Sequence, residues 1–133
     1  MKKIFTLLAL TISLSINAQS YNTSTGTSAL ASGSLTGSYN SAFGYYSLYS
    51  NTEGYRNTAS GYASLYSNTT GDFNTASGMY SLAYNTTGDD NTASGYYSLY
   101  SNTTGSNNTA FGYNARASAN NATNQTVIGY EAT

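Results

Sequence analysis

Asp72, Asp89 and Asp90 are the residues of this sequence best placed to do chemistry together. Asp72 and Asp89 stand 17 residues apart. In a chain that repeats with that step they would stack one coil above the other, with Asp90 beside them. Paired carboxylates can divide general acid and general base duties across a cleft, and carboxylate oxygens suit calcium. The first use needs two acids converging on one substrate, and the glycine-aspartate nonapeptide of calcium-binding rolls is absent. A solvated turn at a variable position accounts for all three acids. The sequence has no His and no Cys, which removes the usual general bases, thiol nucleophiles and zinc ligands. The chemistry points away from catalysis, and no cofactor or metal is expected.

Other polar residues recur with the same step. Thr58, Thr75, Thr92 and Thr109 would form a hydroxyl ladder, the kind of face that binds ice. Such a face needs two adjacent ranks clear of bulky neighbours, and Tyr and Phe lie close by. Stacked Asn and Tyr at low charge also suit a functional amyloid or fibre component, whereas 13 glycines and sharply punctuated turns suit separate coils. Asn68, Asn85 and Asn102, with Asn107, Asn121 and Asn124, match the glycosylation acceptor pattern. The repeat itself writes that motif, so turn chemistry explains it.

The elements that must position these residues follow from the glycines. Gly44, Gly61, Gly78, Gly95, Gly112 and Gly129 form one series, and Gly37, Gly54, Gly71, Gly88 and Gly105 a second, each with a step of 17. A fixed period of this kind marks a solenoid or array. In register, the units are "SYNSAFGYYSLYSNTEG" (38–54), "YRNTASGYASLYSNTTG" (55–71), "DFNTASGMYSLAYNTTG" (72–88), "DDNTASGYYSLYSNTTG" (89–105) and "SNNTAFGYNARASANNA" (106–122), followed by a partial unit, 123–133. Residues 19–37 form a degenerate copy, shifted by about one residue, of the kind that caps a stack.

Each unit alternates two extended segments with two turn signals. In "NTASGY" the alternation puts Ala and Thr on opposite faces. In "YSLYS", Leu48, Leu65, Leu82 and Leu99 take one face and Tyr49, Tyr66 and Tyr100 the other. "NTTG" closes the unit, with Asn and Gly able to adopt positive φ. A unit of strand, turn, strand, turn is one coil of a parallel β-solenoid, and its Tyr, Thr and Gly content opposes helix. The expected fold is all-β, a β-roll of about six coils, each bonded to the next at a spacing of about 4.8 Å.

Ladders then replace single sites. Ala42, Ala59, Ala76, Ala93 and Ala110 stack inside with the four leucines, while asparagines, threonines and tyrosines stack elsewhere. Arg116 stands where the repeat has Leu and marks the end of the regular core. One Leu and one Ala per coil make a thin interior, and a tyrosine buries far more area than either. The column Tyr45, Tyr62, Tyr96, Tyr113 and Tyr130, with Tyr46, Tyr80 and Tyr97 beside it, is therefore the candidate interaction ladder, packing against another chain. Lateral contact between identical rods is naturally cyclic.

Length and composition bound the rest. The 133 residues suffice for one small domain. Residues 1–18 read as a secretory signal: Lys2 and Lys3, the apolar run "IFTLLALTISLSI", then the small Ala18. From Gln19 onward two arginines face five carboxylates, a formal charge of −3. That balance argues against nucleic acid and against an anionic membrane surface. With no cysteine, export brings no disulfide.

The pattern "NTAxGYxxLxxNTTG", together with "NTAFGYNARA" (108–117) and "TVIGYEA" (126–132), resembles the YadA-like head repeats of trimeric autotransporter adhesins. The resemblance spans about residues 38–132. It implies a left-handed parallel β-roll, three chains side by side, exposed on a bacterial outer membrane or secreted, and adhering to host matrix or other cells. That family continues into a coiled-coil stalk and a membrane-inserted barrel, neither of which is read here, so no direct membrane insertion by this chain is expected. Similar repeats occur in fibre proteins that end in a self-cleaving chaperone domain, also not read here. The ligand is not implied.

Overall fold

The computed structural model describes residues 21–33 and 35–133; residues 1–18, read from the sequence as a secretory signal, lie outside the described residues. Seven three-residue strands follow one another: β1 (Thr23–Thr25), β2 (Ser41–Phe43), β3 (Thr58–Ser60), β4 (Thr75–Ser77), β5 (Thr92–Ser94), β6 (Thr109–Phe111) and β7 (Thr126–Ile128). They form one sheet in sequence order, every pair parallel. Thr58, Thr75, Thr92, Thr109 and Thr126 stand in one row, and Ala42, Ala59, Ala76, Ala93 and Ala110 in the next, which Val127 extends. The chain is a parallel β-solenoid with one strand per coil. β1 pairs Thr23 with Ser41, one residue out of the step kept by the other pairs. Among the described residues no helix is long and apolar enough to cross a membrane.

The strands stop after three residues because the next position is glycine. Gly61 has φ 137°, and a Cβ there would lie 2.7 Å from the carbonyl carbon of Gly78 in the following coil. Beyond it the second extended segment expected from "YSLYS" does not form. That segment is a run of turns in which Ala63 and Leu65 take φ of 51° and 50°. Its side chains do not alternate, since Ala63, Ser64 and Leu65 are all buried. The backbone loses nothing by this: Ala63 N–H donates to Tyr45 O in the preceding coil, and Leu65 N–H to Ser81 O in the following one. Positive φ is unfavourable for a leucine by about 1 kcal/mol. Here it turns Leu48, Leu65, Leu82 and Leu99 inward, and the first three are completely buried.

The closing "NTTG" also differs from expectation. Gly54, Gly71, Gly88 and Gly105 do not have positive φ; they are glycines because the coils meet there. A Cβ on Gly71 would lie 2.5 Å from Gly88 O and 2.5 Å from Asn68 Oδ1. The asparagines of this turn face inward, and they correct the expectation that asparagine stacks outside the core. Asn51, Asn68, Asn85 and Asn102 form one buried column, and Asn40, Asn57, Asn74, Asn91 and Asn108 another.

Each buried amide is bonded to its own coil and to a neighbour, as burial of a polar group requires. Asn68 Nδ2 donates to Asn51 Oδ1 at 2.9 Å and to Gly71 O at 2.9 Å. Asn85 repeats the pattern onto Asn68 Oδ1 and Gly88 O, and Asn102 onto Asn85 Oδ1 and Gly105 O. In the other column Asn57 N–H donates to Asn40 Oδ1 at 2.9 Å, while Asn57 Nδ2 reaches Gly71 O at 2.8 Å. That column ends at Gln125, whose N–H meets Asn108 Oδ1 but whose side-chain amide turns to Ser118. The first column ends where Ala119 follows Asn102. Asn102 Oδ1 is the one buried side-chain polar atom without a hydrogen bond among the described residues.

The interior is thus a sandwich of Ala and Leu columns edged by two amide columns. Arg116 is exposed, and the core does not end with it: Ala110 and Ala115 are buried in its coil and Val127 in the next.

Candidate functional site

Asp72, Asp89 and Asp90 do not converge on a cleft. Asp72 Oδ1 accepts from Tyr55 N–H at 2.8 Å, Asp89 Oδ1 accepts from Asp72 N–H at 2.8 Å, and Asp89 N–H donates to Ser106 Oγ at 2.9 Å. The carboxylates of Asp72 and Asp89 therefore each link two coils through a side-chain to backbone bond. Partial burial raises the Asp72 pKa, opposed by the bond from Tyr55 and reinforced by the charges of Asp89 and Asp90. Among the described residues no group of three or more carboxylates could hold a metal ion.

The strand face carries Thr58, Thr75 and Thr92 beside Ser60, Ser77 and Ser94. This double hydroxyl rank lasts three coils before Phe43 at one end and Phe111 at the other, both exposed, interrupt it. Of the glycosylation patterns, those at Asn68, Asn85 and Asn102 are closed in the folded chain because these side chains are buried. Asn107, Asn121 and Asn124 are exposed.

What the solenoid displays on its remaining flank is tyrosine. Tyr45, Tyr62, Tyr96, Tyr113 and Tyr130 fall in one column with Met79 between Tyr62 and Tyr96, and all are exposed. The rings stack along the rod: Tyr45 on Tyr62 at 5.5 Å and 11°, Tyr96 on Tyr113 at 5.3 Å and 13°, Tyr113 on Tyr130 at 5.0 Å and 10°. Stacked rings cover one another's faces, so this ladder presents ring edges and hydroxyls to the surroundings. Sequence spacing could find the column but not this self-stacking, which depends on ring angles.

A second rank lies against the first. Tyr46 packs edge-on to Tyr45 at 4.1 Å, Tyr80 edge-on to Tyr62 at 5.3 Å, and Tyr97 against Tyr96 at 4.4 Å. Tyr49 stacks on Tyr66 at 5.3 Å, and Tyr100 lies 4.4 Å from Tyr97. These tyrosines, expected on the outside opposite the leucines, are half-buried in the flank. Hydrogen bonding to Tyr84 and then burial push the Tyr100 phenol up to about 12; the two hydroxyls are 3.2 Å apart. Tyr45 is raised by its bond to Tyr46, Tyr80 by its bond to Tyr62, and Tyr97 by desolvation.

The flank is not continuous. Where other coils place a tyrosine, the coil 55–71 has Ala63 and the coil 72–88 has Ala83 followed by Tyr84. The two alanines floor a recess of about 240 Å³ whose lining also includes Tyr46, Tyr62, Tyr66, Tyr80, Tyr84 and Tyr100. At the edge of the array, Tyr39, Tyr55 and Phe73 surround Arg56, whose guanidinium carbon lies 5.4 Å from the Phe73 ring centroid and 5.6 Å from that of Tyr55. This is a cation–π cluster on an exposed corner.

No protein-family model matches the chain, and no curated protein or solved structure matches it.

Proposed function

We propose that this chain is an exported, non-catalytic adhesion module of the kind found in adhesin heads, a rigid solenoid that presents its tyrosine flank to an extracellular protein or cell-surface ligand. The observation that carries this reading is the exposed column Tyr45, Tyr62, Met79, Tyr96, Tyr113 and Tyr130, which runs the length of the regular coils beside a second aromatic rank. Exposed aromatic surface of this extent marks a contact site, and tyrosine is among the residue types enriched where proteins meet. The carboxylates of Asp72 and Asp89 are engaged in linking coils, which supports a structural part for them in a binding module.

The resemblance to adhesin heads adds that three left-handed rods stand side by side at the cell surface, outside the membrane itself. The test has two arms on the chain beginning at Gln19. Solution mass by sedimentation equilibrium is expected to be three times the chain mass, and a stable monomer refutes the assembly. Beads coated with the chain are expected to attach to extracellular matrix or to cells. Attachment that survives replacement of Tyr62, Tyr96 and Tyr113 by serine refutes the tyrosine flank as the contact surface.

A further inference from the structure

Internal repetition gives this chain its own reference. Coil 38–54 carries Tyr46 and Tyr49, coil 89–105 carries Tyr97 and Tyr100, and the two coils between them depart from that pattern. Ala63 replaces tyrosine in the first, and Ala83 replaces it in the second, where Tyr84 also replaces serine. Met79 replaces a tyrosine of the outer column. These departures are scattered in sequence and meet in space, since Ala63, Ala83 and Tyr84 line one recess of about 240 Å³. Within coils 38–105 this recess is where the tyrosine ranks are interrupted, on two levels; past them Asn114 and Ala117 end the ranks. Removing a ring from a stack uncovers its neighbours' faces.

The lining carries no charged residue. An ionic ligand would lose its hydration there without a counter-charge. A nucleic acid would bring phosphate to a chain of net charge −1. A purely aliphatic ligand would strip water from the phenol hydroxyls at the rim, each of which can donate and accept. The matching chemistry is an uncharged ring with a face of C–H bonds and a rim of hydroxyls. Polarised C–H groups meet the negative face of a tyrosine ring, and the hydroxyls exchange bonds with the phenols. The volume suits one six-membered ring, being smaller than a cavity that takes a drug-sized molecule.

We propose that the recess floored by Ala63 and Ala83 is a binding site for a single neutral sugar ring of a cell-surface glycan. This rests on the adhesion reading and names the ligand class of its tyrosine flank. Tyr62 and Tyr80 form one wall, and the hydrogen-bonded pair Tyr84–Tyr100 supplies hydroxyls at the other.

The test is titration of the chain beginning at Gln19 with methyl glycosides of neutral hexoses and N-acetylhexosamines, followed through the tyrosine NMR signals. At least one glycoside is expected to give saturable shifts, with a dissociation constant on the order of 1 mM. Ala63→Tyr and Ala83→Tyr restore the residues that other coils tolerate at the same positions, Tyr46 having φ 58° and Tyr97 φ 58°. They fill the recess and should weaken binding at least about tenfold, with the far-ultraviolet spectrum unchanged. Absence of a saturable shift with every glycoside overturns the proposal, as does undiminished binding in both filled variants. A change in solution mass on filling the recess, without glycoside binding, assigns it to a second copy of the chain and also overturns it. Bead attachment measured in parallel separates the two readings: attachment without glycoside binding refutes the sugar site alone, and loss of both refutes adhesion as well.

Discussion

The buried amide column makes a quantitative prediction from two residues of the same type. Asn85 and Asn102 occupy the same position in adjacent coils and are both buried. Asn85 donates to Asn68 Oδ1 and Gly88 O and accepts from Asn102 Nδ2. Asn85→Ala therefore orphans Asn68 Oδ1 and one N–H of Asn102, while Gly88 O keeps its bond from Asn74. Asn102→Ala orphans Asn85 Oδ1 but removes an oxygen that had no partner, so the number of orphaned groups does not rise. At about 1–3 kcal/mol for each buried group left unpaired, Asn85→Ala should be the more costly by about 3 kcal/mol. For a chain of this size that corresponds to a difference in Tm of roughly 10 °C. Circular dichroism melts and urea titrations at one fixed protein concentration would measure it, with an unchanged urea slope showing that the same surface unfolds. A position effect along the rod is removed by the control pair Leu82→Ala and Leu99→Ala in the same coils. If the asparagine gap is no larger than the leucine gap, the reasoning from orphaned amides is refuted.

Further outcomes follow from the same structure. Ala119→Asn supplies a donor to Asn102 Oδ1 and should raise stability by about 1 kcal/mol, read as a higher Tm. Gly71→Ala forces a Cβ within 2.5 Å of Gly88 O and should cost several kcal/mol by the same melts, on the order of the largest single-residue effects. Gly33→Ala, where nothing lies within 4 Å, should be neutral. Tyr100 is raised from the ordinary 10.0 to about 12, so the folded chain holds a proton that the unfolded chain releases. The resulting stability is complete below pH 10 and is lost as pH rises toward 12. Tyrosinate absorbance should show this late titration, and Tyr84→Phe should move it back toward the ordinary value.

The period and the Ala and Leu columns could be read from the sequence because repetition with a constant step leaves few ways to stack. The strand at "TAS" also followed from its alternation. The segment after it was misread as a second strand for a physical reason: its backbone stays bonded between coils while Leu65 and its equivalents take positive φ, which no propensity assigns to leucine. The asparagines were harder still. Asn at a turn usually means positive φ, and only the stacked amide geometry shows that Asn68 and Asn57 are interior groups. Asparagine stays unchanged in both columns from Asn51 to Asn102 and from Asn40 to Asn108, and that uniformity was the available signal. At the candidate site, sequence located the tyrosine columns. It did not reveal that Ala63 and Ala83, in different units and at different positions, share one recess.

The amide column also gives the rod a direction. In each link the later coil donates and the earlier coil accepts: Asn68 to Asn51, Asn85 to Asn68, Asn102 to Asn85. The dipoles of these links add along one axis, so the column has a donor pole and an acceptor pole, the latter at Asn102. That pole lies inside the rod, because coil 106–122 stacks on it, Thr103 N–H donating to Asn120 O. The side-chain dipole therefore stops two coils before the backbone ladder does, and the last coils are held by backbone bonds without this polar column.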